Sequence, residues 1–299
     1  MTPESSSLLM SLSQGLAEMV QEVAPSVVRV DDGSRLTATG IVWTADGVIV
    51  TTSHGVEHDD DLAIELADGT RHAATLVGRD PSIDLAVLRV NAAELPPVQR
   101  AQLEEIQVGH LVVALARPGT SGLQATIGII SARQDSQTDG HEEYILYTDA
   151  VLYPGFSGGP LVNTSGQVVG LNDRMFGRGV GVALGIPIIA HVADELLVHG
   201  RVRRGYLGIG IQPVVLQESL RNALSLKQER ALLIVQVKSE SPADQGDLMI
   251  GDTLLSINDQ SVQDVDDLRR HVQADQTVAL RILRGGEVRV LDVKIGIEE

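Results

Sequence analysis

The chain of 299 residues contains no cysteine. That absence excludes disulfide frameworks and thiolate sites, and it leaves nothing to mark an oxidising compartment. Aromatic residues are nearly as scarce, with only two phenylalanines, Phe156 and Phe176, so where those two fall matters. Basic residues are outnumbered 23 to 40, giving a net charge of −17, and no acidic block is longer than Asp59-Asp60-Asp61. An acidic, evenly spread surface argues against nucleic acid and anionic membranes as partners. Long apolar runs are missing as well: Leu8-Leu9-Met10 is too short to span a membrane, and the first residues lack the basic start and apolar core of a signal peptide. The expectation from this end of the chain is a cytoplasmic protein without a membrane span. The alternative is an exported protein whose leader is not part of these residues.

What is present centres on Gly155-Phe156-Ser157-Gly158-Gly159-Pro160. Turn-forming residues surround one serine, with apolar residues on both sides. Glycine allows backbone dihedrals and close approaches that a Cβ forbids. A serine on such a turn can present its hydroxyl outward, with the Gly155 and Ser157 amides aimed at one spot in front of it as an oxyanion hole. The plain alternative is a glycine-rich hairpin turn with an incidental serine.

A serine nucleophile needs a base, and the base needs an orienting carboxylate. Val48-Ile49-Val50-Thr51-Thr52-Ser53-His54 is a β-branched run ending in a histidine, and Ser82-Ile83-Asp84-Leu85-Ala86-Val87 sets an aspartate at the entry of an apolar strand. The order His54, Asp84, Ser157 is the chymotrypsin-like order of triad residues. Short strands between 26 and 90, separated by Asp-Gly turns, and a second set between 109 and 186 predict two small β-barrels with the three residues in the cleft between them. The fold class is thus mainly β. One competing motif is His54-Gly55-Val56-Glu57-His58, the H-x-x-E-H spelling of a zinc protease. That motif works only on a helix, and Gly55 inside with three aspartates following disfavours one. His58 is read as a solvated loop residue, and no metal or cofactor is expected.

Residues 5–22 place Leu8, Leu9, Leu12, Leu16, Met19 and Val20 on one helical face. Residues 132–143 are polar and turn-rich and read as a mobile loop. A helix over 188–199 ends at Gly200, and Arg201, Arg203 and Arg204 form a small basic linker before a second domain.

These stretches resemble the HtrA (Deg) family of serine proteases from about residue 22 to residue 296. The pieces that carry the resemblance are "GIVWTADGVIVTTSHGV", "GRDPSIDLAVLRV", "YTDAVLYPGFSGGPLVNTSGQVVGLN" and "GVALGIPI", then "RGYLGIGI" and "SPADQGDLMIGDTLLSINDQSV". The resemblance implies an N-terminal helical segment (1–21), a chymotrypsin-like double-barrel protease domain (22–200) and one small α+β PDZ domain (205–299). It implies His54, Asp84 and Ser157 as the triad, Gly155 and Ser157 as the oxyanion hole, and Leu152 at the specificity pocket. Residues 132–143 match the family's regulatory loop, and 173–181 the loop lining the pocket. Leu207, Gly208 and Ile209 match the loop that binds a peptide's terminal carboxylate, with the helix around Leu268 flanking the groove. Expected partners are unfolded polypeptides and hydrophobic C-termini, in a homotrimer assembled through the protease domains. The expected function is a serine endopeptidase of protein quality control; the rival readings are a pseudoprotease or chaperone-like scaffold acting through the PDZ domain. The chain departs from the family at Phe156, where asparagine or aspartate is usual, and at Asp247, where glycine is. Phe156 and Phe176 both fall in active-site loops, as ligand contacts or as local core plugs.

Overall fold

The computed structural model describes residues 3–34, 37–92, 94–119, 122–138, 141–174 and 180–297. The chain divides into two compact units, Met1–Ser136 with Glu142–Val202, and Gln137–His141 with Arg203–Glu299.

The first unit opens with α1 (Pro3–Val23) and a 3-10 turn at Ala24–Ser26. Six strands follow: β1 (Val27–Asp31), β2 (Ala38–Val42), β3 (Val48–Thr52), β4 (Ala63–Glu65), β5 (Arg71–Asp80) and β6 (Leu85–Val90). They close into a barrel in the order β1-β2-β3-β6-β5-β4. The next six are β7 (Leu111–Ala116), β8 (Gln124–Thr138), β9 (His141–Thr148), β10 (Pro160–Asn163), β11 (Val168–Asp173) and β12 (Gly181–Gly185). They close in the order β10-β11-β12-β9-β8-β7. Counted from each barrel's first strand the two orders are the same, so the unit is one topology used twice. The sequence of strand β5, with exposed Arg71 at one end and small Ala73-Ala74 within, alternates too weakly to be read as a strand.

Each barrel fills its own interior. Val28, Val30, Ile49 and Leu88 pack in the first, and Ile106, Tyr144, Leu146 and Leu161 in the second. A third cluster joins residues of both barrels with α2 (Ile186–His199), through Ile189, Val192 and Leu196, and with Met19 and Val23 of α1. Helix α2 ends as its sequence predicts: Gly200 is left-handed at φ 71° and its amide donates to the Leu196 carbonyl. Helix α1 is divided in use. Its last turns are buried on the barrels, whereas Leu8, Leu9, Met10 and Leu12 are exposed.

The polar stretch 132–143 is not a free loop. Strand β8 runs to Thr138 and β9 starts at His141, so most of the stretch forms the arms of a hairpin. Arg133 fixes one arm by donating to the Leu103 and Ile106 carbonyls at 3.1 and 2.8 Å, with its guanidinium over the Tyr144 ring. Composition alone could not show these anchors, because they lie about 30 residues upstream.

The second unit adds β13 (Gly205–Tyr206), β14 (Ile209–Val215), α3 (Glu218–Ala223), β15 (Arg230–Val237), α4 (Pro242–Gln245), β16 (Thr253–Ile257), β17 (Gln260–Ser261), α5 (Val265–His271), β18 (Thr277–Arg284), β19 (Glu287–Lys294) and β20 (Gly296–Ile297). The main sheet runs β14-β15-β16-β18-β19, which leaves β14 on an edge. Asp247 adopts φ 59°, a left-handed turn that aspartate tolerates in place of glycine. The Arg284 guanidinium braces that turn, donating to the Asp247 carbonyl and, through two nitrogens, to the buried Asp252 carboxylate. No helix among the described residues is long and apolar enough to cross a membrane.

Candidate active site

His54 sits where β3 ends. The strand is buried along its length, and Ser53–Gly55 then makes a single 3-10 turn. No helix continues through Glu57 and His58, so the H-x-x-E-H spelling never acquires the helical face that zinc binding by both histidines requires. The backbone after His54 is held instead by the buried Asp32 carboxylate, which accepts the Glu57 amide at 2.8 Å and the His58 amide at 3.3 Å. The His58 side chain itself is exposed.

Asp84 immediately precedes β6, which pairs with β3 in the register Thr52↔Leu85. Its backbone is left-handed, φ 57°, and the residue is buried. That conformation turns both carboxylate oxygens onto one residue. One accepts the His54 amide at 2.8 Å and the other is hydrogen-bonded to His54 Nδ1. In turn the Asp84 carbonyl accepts the Ser53 amide at 3.1 Å. The ring is thereby fixed in orientation, with Nε2 on its far side. The imidazole pKa is raised above its ordinary 6.5, first by the Asp84 hydrogen bond, against burial, and further by the charges of Asp84, Asp173 and Glu57.

Ser157 is also buried, and glycine places it there. Tyr153-Pro154-Gly155-Phe156 is a turn in which the Phe156 amide donates to the Tyr153 carbonyl at 3.0 Å, with Gly155 at φ 88°. Proline second and glycine third is what a type II turn demands. Gly158, at φ 84°, lies so close to the first barrel that a Cβ would stand 2.0 Å from the Thr39 carbonyl oxygen and 2.4 Å from Thr51 Oγ1. Thr51 is three residues before His54, so the glycine is what brings the serine loop up to the histidine's strand. Thr39 ties the two together: its amide donates to the Ser157 carbonyl at 3.2 Å and its hydroxyl to the Gly155 carbonyl at 2.7 Å. The Ser157 hydroxyl oxygen accepts the Arg174 amide at 3.3 Å, which leaves its own proton free to be given away. Among the described residues, the Gly155 and Ser157 amides donate to nothing.

Phe156 is fully buried. Its ring packs in the second barrel's core, with Tyr153 edge-on at 5.9 Å, and Leu152 rests half-buried against the same cluster. It is a core plug rather than a ligand contact. Phe176 and most of the pocket-lining loop lie outside the described residues. Sequence reasoning missed Thr39, which reads as an ordinary strand threonine, and Asp173, a fully buried carboxylate at the end of β11.

In the second unit, Leu207 is buried in the core, Gly208 is left-handed at φ 78°, and Ile209 opens the edge strand β14 opposite Val237. A Cβ at Gly208 would stand 2.3 Å from Ser241 Cβ. The Leu207 and Gly208 amides donate to nothing among the described residues, and Leu268 of α5 is buried in the same core.

The buried ring implies a test. Phe156→Ala removes a large core side chain, so the first unit is expected to lose about 3–5 kcal/mol of unfolding free energy. Urea unfolding of the full chain measures it; a loss below about 1 kcal/mol would show that the ring carries little of the packing.

Residues 38–171 match the trypsin-like peptidase domain family, and residues 205–295 match the PDZ domain family. The chain is 34% identical over 268 residues to the probable periplasmic serine endoprotease DegP-like of Pseudomonas putida (strain W619), spanning 86% of this chain and 55% of that protein. Its counterpart in Halomonas elongata is 35% identical over 272 residues, with 88% and 56% spanned. The chain thus spans slightly more than half the length of these curated relatives. Among solved structures, the HtrA-type protease AlgW with decapeptide superposes with a TM-score of 0.79 at 27% identity, over 95% of this chain and 99% of that one. The serine endoprotease from Yersinia pestis gives 0.78 at 29% identity, over 95% and 98%.

The cytoplasmic expectation is overturned, since the relatives are named periplasmic endoproteases. It rested on residues 1–22, and an amphipathic helix there reports how those residues pack, not where the protein resides. With both parts of the chain matched in the same order and the double barrel followed by a PDZ fold, the chain belongs to the HtrA (Deg) family of trypsin-like serine endoproteases with a PDZ domain.

Proposed function

We propose that this chain is a serine endopeptidase acting on unfolded polypeptides, with residues 22–200 as its protease domain and 205–299 as its PDZ domain. Ser157 attacks the scissile carbonyl, and His54 Nε2 takes the hydroxyl proton and returns it to the leaving amine. Asp84 orients the ring and stabilises the imidazolium. The Gly155 and Ser157 amides receive the oxyanion. The observation that carries this reading is the double engagement of His54 by Asp84, on ring and amide, at the strand against which Gly158 seats the serine loop. Leu152 supplies an apolar pocket wall, and no carboxylate lies in residues 152–156 to pair a buried cation, so small and medium aliphatic residues are favoured before the scissile bond.

Casein digestion tests this directly. Ser157→Ala and His54→Ala are each expected to lower the rate by about 10⁴ or more with the fold retained, and mass spectrometry of the fragments to show cleavage after Val, Ala or Leu. The base must be neutral to accept a proton, and its pKa is raised, so kcat/KM falls with acidification through a limb above 6.5. Undiminished turnover in Ser157→Ala would overturn Ser157 as the nucleophile, whereas a wild type that leaves casein intact would leave a scaffold role.

The PDZ domain captures protein C-termini that end in a hydrophobic residue. An extended peptide adds to the edge of β14, its terminal carboxylate on the amides of Leu207, Gly208 and Ile209, with Leu268 on the other side of the groove. The Leu207 and Gly208 amides, which donate to nothing among the described residues, support this, as does the decapeptide named in the AlgW structure. Calorimetry is expected to show binding of a peptide ending in Val and at least tenfold weaker binding of its amidated twin, about 1.4 kcal/mol; equal affinities would remove carboxylate capture.

Assembly is proposed as a homotrimer, supported by the apolar residues that α1 leaves exposed at Leu8, Leu9, Met10 and Leu12. Light scattering on the full chain should give three chains per particle, falling when residues 1–20 are deleted; a monomer at micromolar concentration contradicts it.

A further inference from the structure

We infer that Asp173 is a second positioning carboxylate for His54, sharing the imidazole with Asp84 and holding the imidazolium that forms when Ser157 gives up its proton. The inference rests on the endopeptidase reading and adds a fourth group to its site.

The placement comes from β11. All six residues of Val168–Asp173 are buried, and the strand ends on the carboxylate. The residues on either side already hold the serine loop: Asn172 exchanges backbone hydrogen bonds with Gly158 and Gly159, and the Arg174 amide donates to Ser157 Oγ. Asp173 is therefore fixed in register between two contacts to the nucleophile's own loop. One side-chain atom each from His54, Asp84 and Asp173 lie within 4.8 Å of one another. The three groups come from three separate strand ends, β3, β6 and β11, and meet at one imidazole.

Two buried carboxylates this close repel each other unless a positive charge stands with them. The imidazolium of His54 is such a charge, and the ring becomes fully charged when His54 accepts the Ser157 proton. Asp173 thus favours the protonated ring over the neutral one, as its contribution to the raised His54 pKa indicates. It gains and loses no proton itself: the proton passes from Ser157 Oγ to His54 Nε2 and then to the departing amine nitrogen. The charged groups acting on His54 are Asp84 before β6, Asp173 ending β11, and Glu57 beyond the 3-10 turn. Removing Asp173 leaves Asp84 to orient the ring but weakens the base. The cost of having Asp173 is that a larger share of His54 is already protonated at neutral pH.

Asp173→Asn keeps shape and removes charge. Its acid limb is expected to move to lower pH, so that kcat/KM at mildly acidic pH rises about tenfold relative to the alkaline plateau, while the plateau itself falls severalfold. Circular dichroism checks folding, and Asp173→Ser serves if the asparagine variant does not fold. The direct readout is NMR titration of the His54 ring on a Ser157→Ala background, where Asp173→Asn is expected to lower its pKa. A loss of rate with an unmoved pH profile and an unmoved titration would reduce Asp173 to a structural residue and overturn the inference. A wild-type protein inactive at every pH would instead remove the endopeptidase reading, and the titration would still decide the role of Asp173.

Discussion

The whole arrangement depends on one buried threonine. Thr39 belongs to the first barrel, yet its amide and hydroxyl reach the second barrel while its carbonyl holds Thr51 of its own. The hydroxyl donates to the Gly155 carbonyl and accepts the Arg117 amide at 2.9 Å; the carbonyl accepts the Thr51 hydroxyl at 2.7 Å. With the amide on the Ser157 carbonyl, four hydrogen bonds meet at one residue. Each contributes only about 1 kcal/mol net, so their value is less in stability than in placement. They fix the serine loop of one barrel against the histidine strand of the other, and a reaction that needs atoms about 3 Å apart tolerates little play between them.

Against that fixed frame, the serine turn is held from beneath by apolar packing. The family's usual asparagine or aspartate at position 156 is replaced by a ring that sits in the second barrel's interior. Gly155 supplies the left-handed turn and Phe156 the anchor, so the two amides proposed for the oxyanion are set by burial and backbone geometry without a charged partner. Burial of this kind responds weakly to pH and salt, whereas the His54 cluster responds strongly to pH. The two halves of the proposed chemistry are therefore governed by different forces.

Much of this was legible in the sequence because local signals and fold agree there. The β-branched run into His54, the glycines around Ser157 and the Gly200 cap each have one physical reading, and the strands they imply close into the two barrels. Strand β5 was not legible, since its pairing with β4 and β6 and not its own pattern makes it a strand. The hairpin arms around 132–143 were misread for the same reason, their anchors lying far off in sequence. Thr39 was invisible because threonine is ordinary at a strand position, and Asp173 because an aspartate, disfavoured in strands, read as the first residue of the following loop; only barrel closure brings them to the site. Whether Phe156 pointed in or out was open from sequence, and the packing of the second barrel decides it. The compartment was misjudged because nothing in the chemistry of a fold encodes an address.

The backbone at Asp84 limits the routes by which this site can change over evolutionary time. At φ 57° only glycine, asparagine and aspartate sit without strain. Glutamate would keep the charge but distort the turn that aims both oxygens at His54, and a β-branched residue would be strained at any charge. The least costly step away from aspartate is asparagine, which preserves the turn and removes the charge. Lineages that abandon catalysis while keeping the fold are thus expected to pass through asparagine at this position, leaving a scaffold whose outline is unchanged.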